Sequence, residues 1–345
     1  MTKSLVQQQF GAHAGAYATS AVHAKGASLG RLVELVKPGP HWQALDVATG
    51  AGHTAAAFAP HVARVIASDV TDEMLAEARK LAAAKGLANM ETASADAEAL
   101  PFEDGRFDLV TCRIAPHHFP DIPMFVGQVW RVLKPGGTFA LVDNIAPDTE
   151  STPGYSSAEL RDAAVTYNAF ETIRDPSHSH CLGIAEWSEI ITDTGFDLAH
   201  KERLGKDMEF QPWAERMGAD ATTIERLRGM LAEAGPTLGA FLKPRVVEGS
   251  LWFTLDEAIL IARRASLAAE TMKFGLGWFL PAVARYKTLL VEVLIASFFL
   301  QVFGLIAPAT SFYGFVHDVG LAWLALGVGG LLFRVVQLWI QQDLM

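Results

Sequence analysis

Short apolar runs, bounded by glycine, proline and acidic residues, recur along the first half of the chain. Gln43–Val47 (QALDV), HVARVIASDV, the start of METASADAEALPF and the run from Phe107 to Cys112 each read as a strand. Helical stretches separate them. One spans roughly 54–58. Another is TDEMLAEARKLAAAKG, with Thr71 as its cap and Gly86 as its stop; Met74 then occupies the third helical position, so no capping box forms. VGQVWRVLKPGG reads as a helix closed by a Pro-Gly-Gly turn, and TFALVDN as the fifth strand. This alternation predicts an α/β fold built on a doubly wound parallel sheet. Residues 1–40 are helical and partly amphipathic, a segment suited to lid a site. The pattern is weaker over 150–250, where it gives a helix, a loop, a second helix from near Glu186 and a surface or lid helix within 225–245.

The pattern changes after residue 264. Residues 265–345 carry four Lys/Arg and four Asp/Glu, so the net charge of −10 belongs entirely to 1–264. Residues 293–316 contain no Asp, Glu, Lys or Arg, and 319–340 contain only Arg334 near their end. Runs of that length are sufficient to span a bilayer, and Arg334 can snorkel to a headgroup. The expectation is two domains: 1–264, and a transmembrane helical hairpin over 265–345 with spans near 288–308 and 319–340. Arg285 and Lys287 precede the first span, whereas the connecting loop has no Lys or Arg. The positive-inside rule therefore predicts a membrane-associated protein whose folded domain faces the cytoplasm. The acidic balance argues against a nucleic-acid partner, and two cysteines give no disulfide framework.

The chemistry concentrates at 44–55, ALDVATGAGHTA, a strand running into a glycine turn and a helix. Gly50 and Gly52 permit a sharp turn and close approach of a ligand to the backbone. Two ligands compete for this loop. Gly50, Gly52 and Ala55, with Asp69 further on, fit the dinucleotide fingerprint of a nicotinamide-dependent oxidoreductase. Asp46, Gly50 and Gly52 fit the S-adenosylmethionine loop D-x-x-x-G-x-G. Asp46 favours the second, because a carboxylate repels a pyrophosphate and attracts a cationic methionine amino group. Asp69, ending the second strand, is suited to accept from a ribose diol. Asp96 and Ala97, after the third strand, are candidates for the adenine amino group and a ring nitrogen. Met74 is a candidate for the adenine face, and Tyr17 for the cofactor carboxylate.

His117 and His118 follow the fourth strand, where an unperturbed imidazole with a pKa of about 6.5 suits proton transfer. They are the candidate catalytic residues, with Arg113 positioned either to orient an anionic substrate or to pair with a neighbouring acid. His178, His180 and Cys181 raise a metal reading, but zinc wants three or four ligands at defined spacing. No partner pair accompanies them, so no metal is assigned, and the segment is read instead as a substrate-side loop.

Five motifs in order, LDVATGAGHTA, ASDVTDEML, ADAEALPF, FDLVTCRIAPHHF and VLKPGGTFALVD, resemble those of class I S-adenosylmethionine-dependent methyltransferases. The similarity is to type 11 methyltransferase domains, including the ubiquinone/menaquinone-biosynthesis C-methyltransferases, and it covers the first 264 residues. It implies a Rossmann-like seven-stranded sheet whose last strand runs antiparallel, with 251–264 resembling that closing strand. It also implies S-adenosylmethionine as cofactor, and Asp46, Gly50, Gly52, Asp69, Asp96 and Ala97 lining its pocket. The function expected is methyl transfer to a small-molecule acceptor, a lipid or quinone-like one being attractive if the tail is an anchor. A catalytically idle membrane adaptor is a further alternative. Residues 273–308 resemble the entry helix and first transmembrane helix of type I secretion ABC transporters. No G-x-x-x-x-G-K-[ST] loop follows them, so the tail is expected to be an anchor or the product of a fusion.

Overall fold

The computed structural model describes residues 5–8, 10, 11 and 26–266. The chain divides into two compact units, Met1–Glu270 and Thr271–Met345. Every described residue belongs to the first, so the expected hairpin and Tyr17 lie outside the described residues. Among the described residues, no helix is long and apolar enough to cross a membrane.

The elements follow the order α1 (Ala27–Val36), β1 (Gln43–Val47), α2 (His53–Phe58), β2 (Arg64–Asp69), α3 (Asp72–Lys85), β3 (Met90–Ser94), β4 (Phe107–Arg113), α4 (Ile122–Val132) and β5 (Leu133–Asn144). Then come α5 (Ser157–Arg174), α6 (Ile184–Asp193), β6 (Phe196–Glu209), α7 (Phe210–Glu215), α8 (Ala221–Ala232), α9 (Pro236–Leu242), β7 (Arg245–Val247) and β8 (Ser250–Arg264). The sheet order is β3-β2-β1-β4-β5-β8-β6. β1 to β5 pair in parallel, and β8 runs antiparallel to both β5 and β6. The three-residue β7 adds an eighth, short strand beside β8. This is a Rossmann-like sheet with the antiparallel strand inserted between β5 and β6.

Alternation along each strand gives the sheet its two covered faces. Ala44, Leu109, Ala140, Val142, Ile259 and Ile261 join one buried cluster with Leu32 of α1, Phe58 of α2 and Ala78 of α3. Leu45, Val110, Phe139, Leu141 and Leu260, their neighbours along the same strands, join the other with Phe125 of α4, Phe170 of α5 and Trp187 of α6. The helices obey local rules. α3 carries Asp72 and Glu73 in its first turn and Lys85 in its last, matching its dipole, and Gly86 closes it at φ +65°. Thr71 occupies the cap position as expected, but its hydroxyl makes no cap bond.

α4 begins at Asp121, whose side chain accepts from the Met124 N–H at 2.8 Å. Asp121→Ala is expected to destabilise the domain by about 1 kcal/mol, or roughly 2–4 °C in melting temperature. A thermal melt checks this.

The sequence placed the end of that helix at Pro-Gly-Gly. The helix instead stops at Val132, and β5 already pairs at Leu133, opposite Phe107, with an irregularity before Leu109. Pro135 disfavours helical backbone at Lys134 and lacks the N–H a helix needs, so the chain is already extended before the glycines. β6 went unseen because its alternation is carried by polar residues. Leu198, His200, Glu202, Leu204 and Lys206 are half-buried, while Asp197, Lys201, Arg203 and Asp207 are exposed. That is an edge strand, charged as edges commonly are.

Candidate active site

The carboxyl ends of β1 to β4 open on a cavity of about 1060 Å³, counted out to its mouth. Its wall is the loop after β1. Ala48 at φ +51° starts this turn, followed by Gly50 at φ +54° and Gly52 at φ +85°. A Cβ on Gly50 would meet nothing within 4 Å, so the loop edge is open to a ligand there. Gly52 serves a different purpose. A Cβ on it would lie 2.9 Å from the Ala78 Cβ and 2.8 Å from the Met90 Cε. Gly52 therefore lets the turn pack onto α3 and β3, and it is not among the residues lining the cavity.

Asp46 also lies behind the wall, 1% exposed. One oxygen accepts from the Thr49 hydroxyl at 2.5 Å and the Ala55 N–H at 3.1 Å, the other from the Thr111 hydroxyl at 2.6 Å. It ties β1, the glycine loop, α2 and β4 together. Burial pushes its pKa up to about 6, against the pull of those three donors. The sequence argument set this carboxylate opposite a ligand ammonium; the geometry makes it the brace of the loop.

Asp69 does line the cavity, from the end of β2. Its two oxygens accept from the Gly50 and Thr71 N–H groups, both at 2.9 Å. A carboxylate has about four lone-pair sites, so capacity remains for a ligand hydroxyl. Burial raises its pKa. Met74, Asp96 and Ala97 line the same cavity, and Asp96 accepts from the Glu98 N–H at 3.0 Å. The described part of the N-terminal segment brings Val6 and Phe10 to the lining, and Gln7 donates to the Val70 carbonyl at 2.8 Å. Together these residues fit S-adenosylmethionine: an open glycine edge, an acid at the end of β2, apolar side chains for a flat base and an acid after β3.

The far side of the cavity carries Arg113, Ile114, Ala115, His118, Phe119 and Pro120. Arg113 donates from Nε and Nη2 to the Ser28 hydroxyl of α1, each at 3.2 Å. Burial lowers its pKa against the nearby charges of Glu257 and Asp46. Ile114 holds φ +53°, a strained value for a β-branched residue. It turns the chain out of β4 into the short helical turn Pro116–His118.

The two histidines have different surroundings. His117 is buried and outside the lining. Its Nδ1 lies 2.6 Å from Asp143 Oδ1, at the end of β5, and that carboxylate raises its pKa despite burial. His118 lines the cavity, with its ring edge against Phe10 at 4.9 Å. Its Nδ1 is 3.0 Å from the Ser177 carbonyl. A carbonyl only accepts, so Nδ1 carries the hydrogen and Nε2 the lone pair. Burial, together with the neighbouring His117, lowers the His118 pKa to about 3. The near-neutral imidazole expected from sequence is thus corrected: His118 is a neutral acceptor.

Sequence reasoning missed Asp143, Asn168, Asp175 and Ser177. The signal for Asp175 and Ser177 was the run 175–181, DPSHSHC, weighed only as a metal possibility or a substrate-side loop. His178 Nε2 is 2.8 Å from Asn168 Oδ1, and the Ser179 and His180 N–H groups donate to the His117 carbonyl at 2.7 and 3.0 Å. These contacts stitch the loop against the histidine pair. Among the described residues, no group of three or more His, Cys, Asp or Glu is placed to hold a metal ion.

Comparison with known proteins agrees with this geometry. Residues 44–137 match the family model described as a methyltransferase domain. The chain is 34% identical over 212 residues to the uncharacterized methyltransferase YcgJ of Bacillus subtilis, covering 61% of this chain and 79% of that one. The crystal structure of the same Bacillus subtilis protein superposes with a TM-score of 0.63 at 29% identity, covering 69% of this chain and 98% of that one. A crystal structure of a Bacillus halodurans protein gives a TM-score of 0.64 at 34% identity, covering 70% and 100%. A ubiquinone/menaquinone biosynthesis C-methyltransferase of Brucella anthropi is 40% identical over 108 residues, covering 30% of this chain and 41% of its own length.

Proposed function

This chain belongs to the methyltransferase family and is an S-adenosylmethionine-dependent methyltransferase; on that premise we propose how its residues divide the work and what they methylate. Bound S-adenosylmethionine supplies a methyl group on a sulfonium, transferred by in-line displacement to a nucleophile held in line. Gly50 and the loop braced by Asp46 take the methionine end. Asp69 accepts from the ribose hydroxyls. Asp96 and the Ala97 N–H take the adenine edge, with Met74 against its face and Tyr17 a candidate for the carboxylate. His118 faces the acceptor, and His117, held by Asp143, supports it from behind. Arg113 borders the same space and orients the acceptor.

The observation that carries this reading is His118 in the cavity wall with its Nδ1 3.0 Å from the Ser177 carbonyl, which leaves the lone pair to Nε2. Such a group accepts a hydrogen bond from a nucleophile that still holds its proton, a hydroxyl or an acidified carbon. The acceptor class we propose is therefore a phenol, a quinol or a related small molecule. The similarity of 108 residues of this chain to a ubiquinone/menaquinone biosynthesis C-methyltransferase of Brucella anthropi supports a quinol among these. His118→Ala is expected to reduce S-adenosylhomocysteine formation from a panel of phenols and quinols by roughly 100-fold. Calorimetric affinity for S-adenosylmethionine should stay within about two-fold of the parent, since the cofactor residues are elsewhere. Full activity in this variant would leave His118 as a wall residue and overturn its role.

The tail completes the proposal. The uncharged run 293–316 supports a membrane anchor with the enzyme on the cytoplasmic side, where a lipid-soluble quinol would reach the site. Recovery of the full-length chain in the carbonate-washed membrane fraction is the expected result; recovery in the supernatant would remove the anchor and the bias toward lipid-soluble acceptors.

A further inference from the structure

Behind His118, away from the cavity, stands a second polar chain that methyl transfer alone does not require. The Ser177 hydroxyl is 3.2 Å from His118 Nδ1 and 2.6 Å from Asp175 Oδ1. Asp175 Oδ1 also accepts from the Ser177 N–H at 2.9 Å. All three residues are buried, Ser177 fully and Asp175 to 3% exposure. The direction of this chain is fixed by chemistry. His118 Nδ1 must donate, because the Ser177 carbonyl beside the hydroxyl accepts only. The Ser177 O–H points its proton at a carboxylate. Donors thus line up from the cavity toward Asp175, as they do when a proton is to be drawn that way.

We propose that Ser177 and Asp175 form a proton relay behind His118, through which the acceptor's proton leaves the methyl-transfer site. The inference rests on the reading of His118 as the group facing the acceptor. In the step, the acceptor proton goes to His118 Nε2, the Nδ1 proton to the Ser177 oxygen, and the Ser177 hydroxyl proton to Asp175 Oδ1. The acceptor oxygen uses the freed pair to bond the methyl carbon, whose bond to the cofactor sulfur breaks with its pair left on sulfur. One proton has moved from acceptor to Asp175, and the imidazole has exchanged tautomers without ever becoming a cation.

That last point is what the surroundings demand. The His118 ring lies 4.2 Å from the His117 ring, which is drawn toward its charged form by Asp143, and the His178 ring is tilted against His117 at 5.6 Å. Arg174 adds a positive charge from α5, where it pairs with Glu171 at 3.2 Å, and Asp175 adds a negative one. A second imidazolium here would be buried beside the first. Passing the proton on along the chain leaves the ring uncharged. After product leaves, solvent in the cavity takes the Nε2 proton and the chain runs back. The Ser177 carbonyl favours that return, because it is unpartnered by the ring unless Nδ1 is protonated.

The test uses the full-length protein labelled with 15N-histidine. NMR is expected to show His118 as the neutral Nδ1–H tautomer with no titration between about pH 5 and 9. An Nε2–H tautomer, or a titration near neutrality, would overturn the relay whether or not an acceptor is known. With catechol as the hydroxyl probe, Ser177→Ala and Asp175→Asn are expected to lower kcat by about 10–100-fold with KM for S-adenosylmethionine unchanged. Ser177→Thr, which keeps the hydroxyl, should restore most of it. The solvent isotope effect on kcat should show more than one proton in the parent and collapse in Ser177→Ala. Parental kcat in both variants, with His118→Ala inactive, would remove the relay and keep the role of His118. Parental kcat in His118→Ala would remove both.

Discussion

Asp69→Ala should weaken S-adenosylmethionine binding by about 10–100-fold, the loss of one or two hydrogen bonds to a charged group. The carboxylate serves two partners at once. It holds the Gly50 N–H at 2.9 Å, which sets the open edge of the loop, and it holds the Thr71 N–H at the start of α3. Its spare lone pairs are the ribose acceptors proposed above. Removing it frees the loop and deletes the acceptor, so binding should suffer more than folding. The charge is also costly to bury, as the raised pKa records, so its removal returns part of what the lost bonds take away. Calorimetry against a parallel thermal melt separates the two. Unchanged affinity would mean that the ribose assignment is wrong.

Gly52→Ala should act in the opposite manner, lowering stability by roughly 2–4 kcal/mol before it touches affinity. The new methyl group must sit at φ +85°, a left-handed backbone, and 2.9 Å from the Ala78 Cβ and 3.1 Å from the Ala78 Cα. The Met90 Cε can swing away, but Ala78 belongs to the backbone-packed face of α3 and cannot. Gly50→Ala is the control. Its φ is +54°, but the Cβ meets nothing within 4 Å. It should cost about 1 kcal/mol of stability, with its larger effect on cofactor affinity, because the methyl group enters the cavity edge. Denaturant melts and calorimetry on both variants check the division. Equal stability losses would show that the packing of the loop on α3 does not govern the turn.

These two glycines show what the sequence disclosed and what it concealed. The loop itself was legible: a strand, a sharp turn and a helix follow from QALDV, the glycine spacing and the alanines after it. That both glycines served the ligand was not a safe inference, since Ala78 and Met90 lie far along the chain and only the fold brings them beneath Gly52. The same limit applied at His118. Its position after β4 was readable from the apolar run and the Pro-His-His turn. Its tautomer depends on Ser177, 59 residues away, and its lowered pKa on burial and on the neighbouring His117. Asp46 was readable as an acid at the end of a strand, but three donors, Thr49, Ala55 and Thr111, decide that it faces inward. β6 was illegible for a different reason. An edge strand alternates between half-buried and exposed, and here lysine, arginine, glutamate and aspartate fill both kinds of position.

The insertion of β8 between β5 and β6 sets a timetable for the chain as it is made. β5 ends at Asn144, yet its antiparallel partner begins at Ser250, so its hydrogen-bonding edge has no native partner until synthesis has moved more than a hundred residues on. β6 waits too, for its ladder is made with β8 alone. Strands held open in this way are hazards, because unpaired edges invite other chains. The cofactor loop, β1 to β4 and their helices lie wholly upstream of that gap. A nascent chain therefore has the means to shape its ligand site early, and to close its sheet only once the last strand emerges.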